Sequence, residues 1–297
     1  MPVAAQVAFT TPYRTAPYLT TAEYKTAPTA VDVSNLVPGA PPATQDAELA
    51  NVINRASGWI DNFASQILAA TVNTEAKRLR TRRDGSLIVH PDSWPILEVR
   101  DLQYGPSPGS LTQLSDLSGL WIEEQQFVVT FPGVANVTSV GPLQLGGLGP
   151  SQPLLCRYTY VNGWPNTILA SAAAAAANAI VVADITGIYA GTRLTVDSGS
   201  VEEQVTVATT PTTTTVALTS NLASGHQAGV SVTALPPQVK QACILLTSAL
   251  IKTRGAEALV MPSIGGMGEL RMETAAAGSS QDVADAAALV RNFSRVR

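Results

Sequence analysis

The residues of this chain that could perform acid–base, nucleophilic or metal chemistry are few and scattered. The two histidines, His90 and His226, lie far apart and in different predicted domains. The two cysteines, Cys156 and Cys243, fall in an apolar strand and on the apolar face of a helix, so we interpret both as buried thiols. The sequence contains no Cys/His cluster at zinc spacing and no nucleotide-binding glycine motif. We therefore expect no catalytic, metal or cofactor site, and no enzyme.

Two pairs of adjacent carboxylates, Glu123-Glu124 and Glu202-Glu203, could in principle share a proton. Both pairs fall on predicted strands, where neighbouring side chains point to opposite faces. The two members of a pair are then held apart, and we interpret them as solvated or interface charges.

The densest charge in the chain is a basic run of five residues: Lys77, Arg78, Arg80, Arg82 and Arg83. It is either a solvated arm of a hairpin, a contact with an acidic neighbouring subunit, or a contact with DNA phosphates. The formal net charge is −4, so the rest of the chain is acidic. That balance favours the contact with a subunit over the contact with DNA.

A last amphipathic helix is predicted over residues 281–294, with Ser280 as its cap. It is a candidate partner-docking helix, with these residues: Val283, Leu289, Val290, Phe293, Arg291, Arg295 and Arg297. The helix either folds back onto its own domain or lies in a groove of a partner. The glycine- and alanine-rich linker at 261–280 favours the partner.

Three further helices are predicted. Thr20 and Glu23 have the spacing of a capping box for a short helix that ends before Pro28. Apolar residues at three- and four-residue steps predict an amphipathic helix from Asp46 to Ile67, with Thr44 as its cap. Another helix begins near Pro237.

Strands are predicted in two regions. Residues 77–90 predict a β-hairpin with Asp84-Gly85 as its turn, followed by a strand at Ile96–Leu102 and others near 119–123, 126–131 and 153–160. Residues 170–235 are nearly free of charge and contain five short β-branched runs separated by glycines. That spacing indicates a small all-β sandwich or barrel.

The expected fold class is α+β. Residues 1–19 form an extended N-terminal arm, residues 20–169 and 236–260 form one discontinuous core domain, and residues 170–235 form a β-domain inserted into it. Residues 261–297 form a flexible linker and the C-terminal helix. Only 13% of residues are charged, about half the usual share, as suits a surface covered by neighbours.

The order of these segments resembles the head–tail connector (adaptor) proteins of long-tailed bacteriophages. The resemblance lies in the Asp46–Ile67 helix, the strands around Asp84-Gly85, the Trp94-Pro95 loop, and the Tyr158–Pro165 strand and turn followed by the helix from Pro236. In that family the tyrosine-containing strand and its turn lead directly into the proline-started helix. Here residues 170–235 separate them, and this insert resembles a β-module of actinobacterial-phage virion proteins.

The resemblance implies a structural virion protein without catalytic residues or cofactors. Such proteins form a ring, commonly a dodecamer, between the portal protein and the next neck or tail protein, and viral DNA passes through the ring. The implied location is the neck of the virion, after assembly in the host cytoplasm, with no membrane involved.

Two alternatives remain at this stage. One is another phage structural protein, such as a capsid-decorating or tail-completion protein. The other is a carbohydrate-binding or adhesion module that uses the β-domain. The second alternative expects exposed aromatic platforms, yet Tyr189 is the sole aromatic residue of 170–235.

Overall fold

The computed structural model describes residues 13–80, 82, 86–130, 153–253 and 277–294. The fold is α+β, with antiparallel sheets and a few helices, as the sequence predicts. The helices are α1 (Thr21–Thr26), α2 (Pro42–Ala64), α3 (Pro237–Thr253) and α4 (Ala277–Val290), which a 3-10 turn (Arg291–Phe293) extends. The strands are β1 (Thr71–Leu79), β2 (Ser86–Val89), β3 (Ile96–Gly105), β4 (Thr112–Gln113), β5 (Leu120–Ile122), β6 (Phe127–Thr130), β7 (Leu154–Asn162), β8 (Asn166–Ile168), β9 (Ala179–Val181), β10 (Arg193–Asp197), β11 (Glu202–Thr206), β12 (Thr215–Ala217) and β13 (Ser231–Thr233).

The chain divides into two compact units. The first comprises Met1–Tyr13 and Ala70–Gly163, and the second comprises Arg14–Ala69 and Trp164–Arg297. All four helices and strands β8–β13 therefore belong to the second unit. The domain boundaries expected from the sequence are different, and the inserted domain at 170–235 stays a prediction.

The first unit contains two antiparallel sheets, in the orders β1-β7-β3-β4 and β2-β6-β5. One apolar cluster joins them, because alternate residues of each sheet point inward. Phe127 of β6 packs edge-on against Tyr158 of β7, with 5.3 Å between ring centroids. The two sheets therefore face each other across a shared core.

The predicted hairpin of residues 77–90 is wrong as a strand pairing. β1 begins earlier, at Thr71, and pairs along its whole length with β7, whereas β2 pairs with β6 in the other sheet. A local backbone hydrogen bond from Arg82 N to Ser86 O, 2.7 Å, is what remains of the hairpin. The Asp84-Gly85 turn lies outside the described residues. β7 offers β1 nine consecutive pairing partners, so the long-range ladder takes the place of the predicted local one.

The helices of the second unit share one apolar cluster. α3 packs against both α2 and α4, and the apolar face predicted for α2 is buried there from Leu49 to Phe63. Trp59 and Phe63 stack one turn apart, at 5.2 Å between centroids. The predicted Ile67 lies beyond the helix, which ends at Ala64 with Ser65 in the left-handed conformation.

Of the three helix caps predicted from the sequence, one is confirmed and two are wrong. The capping box of α1 is confirmed: the Glu23 amide donates to the Thr20 hydroxyl, and the Thr20 amide donates to the Glu23 carboxylate. Thr44 is not the cap of α2. That helix begins at Pro42, whose fixed φ suits the first turn and whose missing N–H needs no partner there. Ser280 likewise lies inside α4, which begins at Ala277.

Strands β8–β13 form a separate β-structure within the second unit. Its sheets have the orders β11-β10-β13-β8 and β12-β9, and the strands surround an apolar cluster of their own. Each of the five β-branched runs predicted between residues 180 and 232 overlaps one of the strands β9–β13. That part of the sequence prediction is confirmed.

The predicted N-terminal arm differs from the structure in its second half. Tyr18 and Leu19 are buried in the helical cluster, and residues 1–12 lie outside the described part of the chain. The Tyr18 hydroxyl donates to the Asp61 carboxylate and accepts the amides of Leu68 (2.9 Å) and Ala69 (3.3 Å). Arg14 forms an ion pair with the same carboxylate. These bonds hold the segment against the end of α2.

We expect Tyr18→Phe to lower the free energy of unfolding by about 2 kcal/mol, because two buried amides lose an acceptor and Asp61 loses a donor. Urea denaturation followed by circular dichroism measures this. Tyr13→Phe is the matched control, since Tyr13 is 78% exposed. Equal stability of the two variants would show that the Tyr18 hydroxyl does not hold the segment.

Candidate functional site

The basic run is divided by the alternation of β1. Lys77 lies on the inner side of the strand, where its ammonium group contacts Asp92 Oδ1 (2.7 Å), Glu75 Oε2 (3.4 Å) and the His90 carbonyl (2.5 Å). Two carboxylates thus neutralise Lys77 within its own chain. Lys77 thus joins a polar network within its own chain, and its role in a subunit or DNA contact stays a prediction.

Glu75 is the centre of the polar network that Lys77 joins. Its carboxylate accepts the hydroxyls of Tyr158 (2.8 Å) and Tyr160 (2.5 Å), and also the amide of Asp92 (2.9 Å). Burial, and then the adjacent carboxylate, raise the pKa of both tyrosines. The Tyr160 hydroxyl also accepts the Ser93 amide at 3.1 Å. The network fixes the loop before β3 against β1 and β7.

The remaining described arginines of the run form a surface that we call the basic edge: Arg78, Arg80 and Arg82. All three are exposed, and none has an ion pair or hydrogen bond through its side chain to the residues that the structure describes. Arg78 is on the opposite face of β1 from Lys77, because adjacent strand residues alternate. Arg83 lies outside the described residues. The basic edge is therefore a free cationic surface within the described chain.

Sequence reasoning missed Arg157, which belongs to the same outer sheet face. It lies on β7 directly opposite Ala76, two pairing positions from Arg78 and therefore on the same face of the sheet. The alternation of β7, with Tyr158 and Tyr160 inward, could have predicted that Arg157 points outward.

The carboxylate pair Glu123-Glu124 lies in the turn after β5 rather than along a strand. The Glu123 amide donates to Gln126 O (2.8 Å), and the Ile96 amide donates to Glu124 O (3.0 Å). Both side chains are exposed, and just before them Trp121 is 68% exposed on the outer strand of its sheet. We call Trp121, Glu123 and Glu124 the acidic edge. Sequence analysis did not single out Trp121.

The candidate partner-docking helix lies on its own chain. Val283 and Val290 are buried against the helical cluster, and Leu289 and Phe293 pack on it while partly exposed. The Phe293 ring meets Trp164 edge-on at 5.4 Å, and Gln66 Nε2 donates to the Phe293 carbonyl at 2.8 Å. Docking of this apolar face on a partner stays a prediction, and it would require the helix to leave α3.

The basic end predicted for that helix lies only partly within the described residues. Arg291 is exposed at its end, whereas Arg295 and Arg297 lie outside the described residues. Lys252 of α3 holds the helix from the other side through Asp282, at 2.7 Å.

The two histidines belong to different units, and both cysteines are buried. His90 is exposed in the first unit, and His226 is buried in the second, 3.3 Å from Glu203. Glu203 also accepts the amides of Ala223 and Ser224, and these bonds and His226 lower its pKa. Burial raises the pKa of Cys156 to about 12 and of Cys243 to about 11, so both thiols stay protonated at neutral pH.

Within the described ranges, no group of three or more His, Cys, Asp or Glu residues could hold a metal ion. None of the helices in this part of the chain is both long and apolar enough to cross a bilayer.

No protein-family model and no curated protein matches the chain. Solved structures that are similar to it include two assemblies of a gene transfer agent. One is the neck of an empty gene transfer agent particle computed with C6 symmetry, at a TM-score of 0.37 and 14% identity. The other is the virion of a native gene transfer agent particle, at a TM-score of 0.38 and 14% identity. Each match covers 94% of this chain and 94% of the other. Similarity at this level supports no inference about function.

We expect Glu75→Gln to destabilise the chain by about 2 kcal/mol, since an amide offers two buried tyrosines one acceptor oxygen and leaves Asp92 as the one carboxylate that contacts Lys77. Glu124→Gln is the matched control at an exposed carboxylate and should change stability by less than about 0.5 kcal/mol. Chemical denaturation of both variants tests this. A Glu75→Gln variant as stable as the control would remove Glu75 from the centre of the network.

Proposed function

We propose that this chain is a structural protein of a phage or phage-like particle. Its role is that of a head-to-tail adaptor, which assembles as a ring between the portal and the next neck or tail protein and leaves a passage for DNA. The assembly is cytoplasmic, and the final location is the virion neck.

The observation that carries the proposal is the junction where strands β8–β13 leave and rejoin the helical part. Pro165 O accepts the Ala234 amide at 2.8 Å and the Thr233 hydroxyl at 3.1 Å. Asn166 and Thr233 are direct partners across the β8–β13 pair. The chain therefore returns to within one hydrogen bond of the point where it left.

That junction places Pro165, the last residue of the turn, beside the segment that enters α3, both within the second unit. The tyrosine-containing strand β7 ends in the turn Gly163-Trp164-Pro165, and the helix α3 begins three residues after Ala234. The order strand, glycine–aromatic–proline turn and proline-started helix is the one that the resemblance to connector proteins requires. Residues 166–233 then form an insertion that leaves this order intact.

The charge of the chain fits the same role. A net charge of −4 gives DNA no strong general attraction, which suits a passage through which DNA must slide. With 13% charged residues, much of the surface is suited to contact with neighbouring proteins.

Electron microscopy of particles purified from the source, with the neck reconstructed at side-chain resolution, tests the proposal. We expect density for this chain as a ring between portal and tail. The matched search for the same chain on the capsid surface is the control. Absence from the neck, or density on the capsid, would reject the adaptor and favour a decoration protein.

A further inference from the structure

We propose that neighbouring copies of this chain pair head to tail through the first unit, the basic edge of one copy against the acidic edge of the next. The inference rests on the proposed ring and deepens it by naming the surface through which copies associate. It commits to a second copy of the chain as the partner.

The basic edge lies on a strand with a free side. β1 pairs with β7 and with no other described strand, so its outer backbone groups face away from the sheet. Arg78 on β1, and Arg80 and Arg82 just after it, are exposed there. Unpaired arginines on a sheet edge prevent random strand pairing and favour a partner that supplies carboxylates.

The acidic edge has the complementary chemistry. β5 pairs with β6 and with no other strand among the residues described. Trp121 is 68% exposed and Ile122 is 38% exposed on that strand, with Glu123 and Glu124 exposed directly after it. Tryptophan is among the residues that contribute most at interfaces, and its face also attracts arginine. A large apolar ring beside two carboxylates suits a cationic partner.

The two edges cannot meet within one copy. β1 lies against β2, and β5 lies against β3, on either side of the central strands β6 and β7, so the edges are at opposite sides of the unit. They are also at opposite ends of the strands. The Glu124 carbonyl accepts the amide of Ile96, and Ile96 is level with the first residue of β1 because both pair with the same residue of β7. The basic edge lies at the other end of β1 and just beyond it.

Because the two edges lie at opposite sides of the first unit, a contact between them determines the symmetry of the assembly. A contact between two different surfaces of the same chain is heterologous, and it closes into a ring when the rotation between copies permits. Each copy then uses both of its edges, so no charged edge is left unpaired in the closed assembly. DNA phosphates would satisfy the basic edge alone and would leave Trp121 and its carboxylates unexplained.

Charge reversal of the full-length chain tests the pairing. One variant reverses the basic edge (Arg78→Glu, Arg80→Glu, Arg82→Glu), and another reverses the acidic edge (Glu123→Lys, Glu124→Lys). We expect sedimentation velocity at low salt to show self-association of the wild-type chain that weakens as salt rises. Each single-edge variant should associate at least about tenfold more weakly.

Recovery of association between oppositely charged variants tests the pairing of the two edges more specifically than loss of association does. An equimolar mixture of the two variants, or one chain with both edges reversed, presents opposite charges again and should associate as the wild type does. Circular dichroism of each variant checks that it is folded. A Trp121→Ala chain should also associate more weakly, whereas Val201→Ala, at an exposed apolar residue of the second unit, should not.

Three results would overturn the inference: a wild-type chain that stays monomeric at every concentration, single-edge variants that associate normally, or a mixture that fails to recover. If reversal of the basic edge abolished only binding to a DNA duplex, the arginines would be a DNA contact instead. These results are independent of the neck reconstruction. If the neck contained a ring of this chain joined through other surfaces, the pairing of the two edges would be rejected and the adaptor role would stand. If the charge-swapped variants recovered association but the chain were absent from the neck, the adaptor role would be rejected and the pairing would stand.

Discussion

The second unit depends on the hydrogen bond from the Ala234 amide to Pro165 O, with the paired strands β8 and β13 behind it. The helical cluster needs α2 and α3 side by side, yet strands β1–β7 and then β8–β13 separate them in sequence. Because β8–β13 begin and end at one point, this second stretch of chain adds no distance between Pro165 and the segment that enters α3. The strands have their own apolar cluster, so neither core needs the other to be filled.

A second constraint is the alternation of side chains along β1, which directs charges that are adjacent in sequence to opposite faces of the strand. Glu75 and Lys77 lie inward on β1 and are satisfied by tyrosines and by Asp92, whereas Arg78 lies outward with no described partner. One basic run thus supplies both an internal network and an external surface. The strand period of two decides which of these residues points inward and which points outward. The order of the strands in the two sheets places the basic edge and the acidic edge on opposite sides of the first unit.

Local patterns predicted the local features. The β-branched runs between glycines predicted strands β9–β13, and the Thr20–Glu23 spacing predicted the start of α1. The pairing of β1 with β7 was not predictable in this way, since its partner lies far along the chain and periodicity does not encode register. The burial of Tyr18 depends likewise on distant amides at Leu68 and Ala69. An amphipathic pattern also does not specify whether the surface that covers α4 belongs to the same chain or to a partner. In the structure, α4 packs on α3 of its own chain.

The measurement that tests the insertion most directly is the stability of a chain from which residues 167–232 are removed. Asn166 and Thr233 are direct antiparallel partners, so a two-residue Asn-Gly turn can join them. Urea denaturation followed by helical circular dichroism should then show a single cooperative transition of α2, α3 and α4, as in the full chain. Loss of that cooperative transition in the shortened chain would contradict the account, because the helices would then depend on the β-structure for their packing.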